Sequence, residues 1–227
     1  KKEKELGQSA LAITDHGVMY GVIDFYRECK KQGIKPILGC EVYVAPRKRQ
    51  DRQHGIDGEN SHLVLLCENR QGYENLCKLV SEAFIHGFYG KPRVDIRLLR
   101  QYNEGLIALS ACLAGEIPKR ILAGNYEAAK NYALEMRDIF GEDSFYLELQ
   151  DQGIEEEAQI LPDMIRIHEE TGIPLVATND VHYVRQEDAE AQDVLMCIQM
   201  QKTVEDDDRM SFETDEFYVK SEAEMAE

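Results

Sequence analysis

The side chains of this sequence that could do chemistry are histidines, carboxylates and one thiol that stand at or near the ends of predicted strands. These are the groups that bind zinc, manganese or iron in proteins, and a site needs three or more of them converging from separate elements. The candidates are Asp15, His16, Glu41, His62, Cys112, Asp180 and His182.

Two of the predicted strands end in the same way. The apolar run 10–14 stops on Asp15 and His16, and the run 174–177 leads into a loop that holds Asp180 and His182. Apolar strands that deliver polar groups at their C-terminal ends are how α/β barrels build their sites. The spacing of Asp180 and His182 lets both side chains face one side, and we expect His16 and Glu41 to be their partners.

Taken one at a time, most of these residues have a simpler explanation. A single Asp at a strand end is more often a helix N-cap, a single His is more often a hydrogen-bonded core residue, and a free Cys is commonly a small buried apolar group. Glu41 is harder to explain in this way, because a carboxylate inside an apolar strand needs a partner to offset its desolvation. His62 begins its predicted strand, so the strand-end rule does not select it. Their joint occurrence favours a site.

Strands and helices alternate along the chain, with glycines ending several helices. About six βα repeats, without an internal sequence repeat, indicate a parallel barrel or a doubly wound sheet, and the polar strand ends favour the barrel. An acidic tail follows, with a possible edge strand at 217–219. The predicted strands are 10–14, 35–44, 63–66, 106–109, 145–149 and 175–177.

Composition limits the possible functions. With 227 residues, 43% of them hydrophobic, the chain can form one substantial α/β domain. A formal charge of −17 argues against a broad surface that binds a nucleic-acid backbone. Six scattered cysteines without a CxxC pair fit reduced thiols in a cytoplasm, and no apolar run approaches the ~18 residues of a membrane span. The first residues look like the inside of a helix, so we expect further chain upstream.

The segment 46–60 holds the one basic cluster of this acidic chain. It contains two glycines and almost no apolar residues. Its cations are Arg47, Lys48, Arg49 and Arg52. We expect a solvated, mobile surface loop. The alternative is that the cluster contacts DNA or a neighbouring domain.

Several motifs together resemble one family. These are the segments 14–17, 39–41, 62–66, 109–115 and 177–183. They resemble the PHP (polymerase and histidinol phosphatase) domain of the bacterial DNA polymerase III alpha subunit, and the loop 46–60, the helix start 72–76 and the segment 91–93 are similar to the polymerase branch. The resemblance implies a PHP domain over residues 1–204, incomplete at its N-terminus, and an acidic tail with an edge strand over 205–227 that leads toward polymerase domains.

The resemblance also implies a fold and a set of ligands. The fold would be a distorted seven-stranded β/α (TIM-like) barrel, here lacking its first strand, whose mouth holds up to three divalent metal ions in a cluster of nine ligands. Asp15 matches a motif residue that is not a usual ligand, and we interpret it as a supporting or capping carboxylate. The positions that match metal ligands are His16, Glu41, His62, Cys112, Asp180 and His182.

The function implied is that of a phosphoesterase-type metal site within a replicative polymerase subunit. The site would support 3′-5′ exonuclease proofreading or serve as a scaffold, and the polymerase aspartates would lie beyond this chain. The implied partners are the other domains of the alpha subunit, primer-template DNA, an exonuclease subunit and a sliding clamp. We expect at most one or two ions and little or no hydrolase activity in the isolated chain. The alternative is a free-standing PHP phosphatase of the histidinol-phosphatase type.

Overall fold

Helices and strands alternate along most of the chain in the computed structural model, which describes residues 1–226. The strands are β1 (Ala10–Ile13), β2 (Lys35–Val44), β3 (Ser61–Cys67), β4 (Arg93–Val94), β5 (Leu106–Leu109), β6 (Phe145–Leu149) and β7 (Leu175–Ala177). The helices are α1 (Lys2–Glu5), α2 (Val22–Gln32), α3 (Arg70–His86), α4 (Ile96–Gln101), α5 (Glu116–Leu122), α6 (Tyr126–Phe140), α7 (Glu155–Thr171), α8 (Ala189–Met200) and α9 (Glu222–Met225). None of these helices has the length and hydropathy that crossing a membrane requires.

The strands form one seven-stranded sheet in the order β1-β2-β3-β5-β6-β7, and the short β4 pairs with β2 beside this path. Most neighbours are parallel, but β3 runs antiparallel to both β2 and β5. The prediction of an α/β barrel-type sheet is confirmed, and the expectation that all its strands are parallel is wrong for β3. Because β3 is reversed, its N-terminal end lies at the edge of the sheet where the parallel strands have their C-terminal ends.

The sheet curls around one mouth. Strands β1 and β7 are the two ends of the strand path and do not pair with each other within residues 1–226. The imidazole rings of His16, after β1, and His182, after β7, nevertheless have their centroids 6.1 Å apart. The two ends of the sheet must therefore bend toward each other, as they do in a barrel.

The period-two pattern of the strands separates a core face from a face that lines the mouth. In β2, the side chains of Cys40 and Val42 lie in the main core between the sheet and the helices. Glu41 and Tyr43, which alternate with them, point to the other side of the sheet. The helices supply the opposite wall of this core through Leu76, Leu79, Ala133, Met136, Met164 and Ile167, all at most 1% exposed.

Helix α3 begins with a side-chain cap. The side chain of Asn69 accepts a hydrogen bond from the backbone N–H of Gly72 at 3.0 Å, which satisfies one of the free donors of the first turn. The turn passes so close to the loop before β5 that a Cβ on Gly72 would lie 1.8 Å from the carbonyl oxygen of Gly105. Glycine is therefore required at position 72.

The long connection between β2 and β3 is anchored by one buried arginine. Arg93 is 0% exposed and lies in β4. Its guanidinium donates to the carbonyl oxygens of Gly87 (2.9 Å), Asp57 (2.7 Å), Arg49 (2.8 Å) and Asp51 (2.8 Å). Three of these four carbonyls belong to the loop 46–60, so this loop folds around a charged group instead of an apolar one.

Half of the basic cluster predicted in this loop is neutralised within the domain. Arg47 forms a two-point ion pair with the buried carboxylate of Asp57, at 2.9 and 2.6 Å, and this pairing lowers the pKa of Asp57 to about 2. Arg49 contacts the carboxylate of Asp95 at 3.3 Å. The cations available to a partner from this cluster are therefore Lys48 and Arg52, both exposed.

The tail returns to the mouth of the sheet. Phe217 and Val219 are 4% and 6% exposed, and the backbone N–H of His182 donates to the carbonyl oxygen of Phe217 at 2.9 Å. The edge strand predicted at 217–219 is a single bridge between Tyr183 and Tyr218. The tail therefore packs against the loop that carries His182.

Candidate metal centre

Three candidate ligands, each positioned by a different strand, converge at the mouth of the sheet. Each of His16, Glu41 and His62 offers one ligand atom, and the three atoms lie within 4.8 Å of one another. Nδ1 of His16 lies 3.6 Å from Oε1 of Glu41, and Nδ1 of His62 contacts the same oxygen. This is the spacing of a site that could hold a divalent cation.

The backbone pairing explains why these three side chains meet. The N–H of Glu41 donates to the carbonyl of Asp15 at 3.1 Å, and the N–H of Gly17 donates to the carbonyl of Glu41 at 2.8 Å, so His16 lies directly beside β2. On the other side, the register pairs Tyr43 with His62, which makes His62 a diagonal neighbour of Glu41 on the same face. Two hydrogen-bonded ladders therefore fix the cluster.

A metal ion fits the chemistry of this cluster. Glu41 is 5% exposed, and its Oε1 has no hydrogen-bond donor in an acceptable geometry, even though Nδ1 of His62 is in contact with it. A buried carboxylate is costly without a positive charge beside it, and a cation among these atoms would supply that charge. Two imidazoles and a carboxylate suit zinc, manganese and iron, so the donor set does not select one metal.

Cys112 lies at the edge of the cluster, with Sγ 3.9 Å from Nδ1 of His62. Burial raises the pKa of its thiol to about 12, and the negative charges of Asp180 and Glu41 add to the effect. Without a cation the thiol stays protonated. A bound metal would have to displace this proton before the sulfur could become a ligand.

Asp180 and His182 border the cluster from the side of β7. Nε2 of His182 lies 3.5 Å from Oδ1 of Asp180, and each side chain is 23% exposed. The His182 ring also contacts Phe212, with centroids 4.8 Å apart. Asp180 and His182 share the mouth but lie outside the group of three converging ligand atoms.

Comparison with known proteins decides the family. The model of the PHP domain family matches residues 1–152, which is more than half of the chain. The chain belongs to the PHP domain family.

This PHP domain is similar along its whole length to part of a much larger protein. It is 50% identical over 225 residues to the DNA polymerase III subunit alpha of Treponema pallidum, covering 99% of this chain and 19% of that protein. The same subunit of Borreliella burgdorferi is 46% identical over 100% of this chain and 20% of that protein. That of Thermus aquaticus is 45% identical over 99% of this chain and 18% of that protein. The chain thus spans about one fifth of the length of these relatives.

Asp15, which the sequence marked as a supporting carboxylate, points toward a helix start in this PHP domain. Its Oδ2 would lie 3.2 Å from a Cβ on Gly21, the residue before α2. The carboxylate therefore lies near the N-terminus of α2, where the helix dipole stabilises a negative charge. Its role beside the cluster stays a prediction.

Sequence reasoning missed a second buried carboxylate near the site. Glu148 lies in β6, is 6% exposed, and has its pKa raised to about 7. Burial is the main cause, opposed by hydrogen bonds from Thr178 and Ala111, and the charges of Asp180 and Glu41 raise it further. The signal was present in the sequence, since Glu148 interrupts an apolar strand as Glu41 does.

Proposed function

We propose that this PHP domain is the metal-binding, phosphoesterase-type domain of a bacterial DNA polymerase III alpha subunit, acting in DNA replication in the cytoplasm. The similarity to three alpha subunits over nearly the whole chain supports this assignment over a free-standing histidinol-phosphatase type. We also propose a domain boundary near residue 204, with residues 205–227 leading to polymerase domains. Its partners would be those domains, primer-template DNA, an exonuclease subunit and a sliding clamp.

The single observation that carries the metal site is the convergence of His16, Glu41 and His62, whose ligand atoms lie within 4.8 Å of one another. In the proposal these three hold the first divalent ion, and Cys112, Asp180 and His182 complete the ligand set around it. A divalent cation held there supplies Lewis-acid chemistry toward a phosphodiester and makes water a better nucleophile. Zinc, manganese and iron are all compatible with these donors.

The residues of the chain would bind and orient the reacting groups. Glu41 supplies the carboxyl group, and both histidines face it through Nδ1, which leaves Nε2 of each ring as a further donor or acceptor. In the whole subunit, we propose, this arrangement hydrolyses the phosphodiester at a 3′ end, as a proofreading exonuclease does.

A scaffold role without hydrolysis is the second candidate. It is favoured by one observation: within residues 1–226, three of the six proposed ligands converge and the other three lie at the border. Such a partial site would still bind an ion that joins β1, β2 and β3.

The test compares the full-length alpha subunit with its His182→Ala variant by metal analysis and by a 3′-5′ exonuclease assay. His86→Ala is the matched control, because His86 is an exposed helical residue whose partner is Glu82. We expect His182→Ala to reduce bound metal and exonuclease activity together while polymerase activity persists. Bound metal without exonuclease activity in the wild type would identify the scaffold, and a wild type without bound metal would refute the metal site.

A further inference from the structure

The buried carboxylate of Glu148 joins the two turns that carry the bordering candidate ligands. Its Oε2 accepts a hydrogen bond from the backbone N–H of Ala111 at 2.5 Å, and its Oε1 accepts one from the hydroxyl of Thr178 at 2.8 Å. Ala111 directly precedes Cys112, and Thr178 lies two residues before Asp180. One side chain in β6 therefore fixes the strand end on each side of it.

Both turns hold a residue in a strained backbone conformation. Ala111 has φ +64° and Asp180 has φ +42°, and residues 1–226 contain just one other non-glycine with a positive φ. Such conformations are unfavourable for residues with a side chain and persist where the surroundings hold them. The hydrogen bond from Ala111 to Glu148 is a contact of this kind, and it sets the direction in which Cys112 leaves β5.

Glu148 differs from Glu41 in how its oxygens are used. Both oxygens of Glu148 accept hydrogen bonds from protein donors, whereas Oε1 of Glu41 faces the ring nitrogens of two candidate ligands. The network continues outward, because the Thr178 hydroxyl also accepts a hydrogen bond from the Gln150 amide at 3.0 Å. This arrangement suits a residue that holds ligands in place, not one that binds the ion.

We propose that Glu148 is a positioning residue that fixes Cys112 and the loop of Asp180 and His182 against the cluster of His16, Glu41 and His62. The inference rests on the proposed metal site and adds a residue to it. Loss of hydrogen-bonded groups that orient metal ligands typically lowers metal affinity 10- to 100-fold. We expect a loss in that range although no ligand is removed.

The test is Co²⁺ binding to the full-length alpha subunit, followed by its affinity and by the thiolate-to-cobalt charge-transfer absorption. The difference spectrum against Cys112→Ser isolates the contribution of Cys112. The variants are Glu148→Gln, which keeps the volume of the side chain, and Thr178→Val, which removes the donor to Oε1. Asp95→Asn is the matched control, since Asp95 is also a buried carboxylate that accepts a backbone hydrogen bond, from Leu98 at 2.9 Å.

We expect Glu148→Gln to weaken Co²⁺ binding at least ~10-fold and to reduce the Cys112 charge-transfer band. Thr178→Val should do so to a smaller extent, and Asp95→Asn should match the wild type. Thr178→Val keeps the test decisive if Glu148→Gln does not fold. Wild-type affinity and band intensity in both variants would overturn the positioning role and leave the metal site standing. A wild type that binds no Co²⁺ would refute the metal site itself.

Discussion

Replacement of Arg93 by Met should destabilise the domain strongly, because it removes a fully buried guanidinium with four backbone acceptors. Hydrogen bonds to charged groups contribute about 1.5–3 kcal/mol each, so a simple sum would be about 6–12 kcal/mol. The net effect is smaller, because burial of the guanidinium has a desolvation cost, which also lowers the pKa of Arg93. Water can moreover reach some of the released carbonyls. We expect a loss of about 3 kcal/mol, near the lower limit for breaking a buried charged network.

Urea unfolding of the chain, followed by circular dichroism, measures this change. With an m-value of about 2 kcal/mol/M, the unfolding midpoint should fall by about 1.5 M. Arg70→Met is the matched control, because Arg70 is 92% exposed and pairs with Glu74 at one helical turn, a contact worth about 0.3–0.5 kcal/mol. Limited trypsin digestion of Arg93→Met should also cut the loop 46–60 faster. Equal midpoints for Arg93→Met and Arg70→Met would refute the reasoning.

Two further predictions concern Glu148 and Gly72. The pKa of Glu148 is raised from 4.5 to about 7, so the folded state holds its proton over a range in which the unfolded chain has lost it. Stability should therefore fall by about 3 kcal/mol as the pH rises from about 4.5 to 7; urea midpoints at pH 5 and 8 in EDTA should show this loss in the wild type and not in Glu148→Gln. Gly72→Ala should lower the melting temperature by forcing α3 away from Gly105, at a cost of about 1–3 kcal/mol, whereas Gly58→Ala, which meets no atom within 4 Å, should not.

The alternation of strands and helices was predictable from the sequence because it is a local property. The alternation of apolar and polar residues in strands, and the glycines that end helices, give the bounds of most elements to within a few residues. The direction of a strand is not encoded in its period, and for this reason the reversal of β3 was not foreseen. That reversal explains why His62, at the start of its strand, meets Glu41, which lies inside β2.

The other features that were not predicted depend on contacts between distant parts of the chain. The composition of the loop 46–60 gave no sign of its buried anchor, Arg93, which lies 36 residues beyond Asp57. The mobility of this loop stays a prediction. The six proposed ligands could be named from motifs, but motifs did not indicate that three of them converge and three lie at the border. Glu148 was missed because an isolated carboxylate in a strand shows no partner until Ala111 and Thr178 are placed beside it.

The reversed strand β3 also limits where this chain can change length. A shift of one residue in a β-strand moves every side chain to the opposite face of the sheet. A single insertion after His62 would therefore either change the register in which His62 pairs with Tyr43 of β2, or turn Val64 and Leu65 to the wrong faces. An insertion after Gly58 should be absorbed, because no neighbouring atom lies within 4 Å of a Cβ there and loop closure entropy grows slowly with length. Length variation among homologous chains should therefore be frequent just before β3 and absent within it.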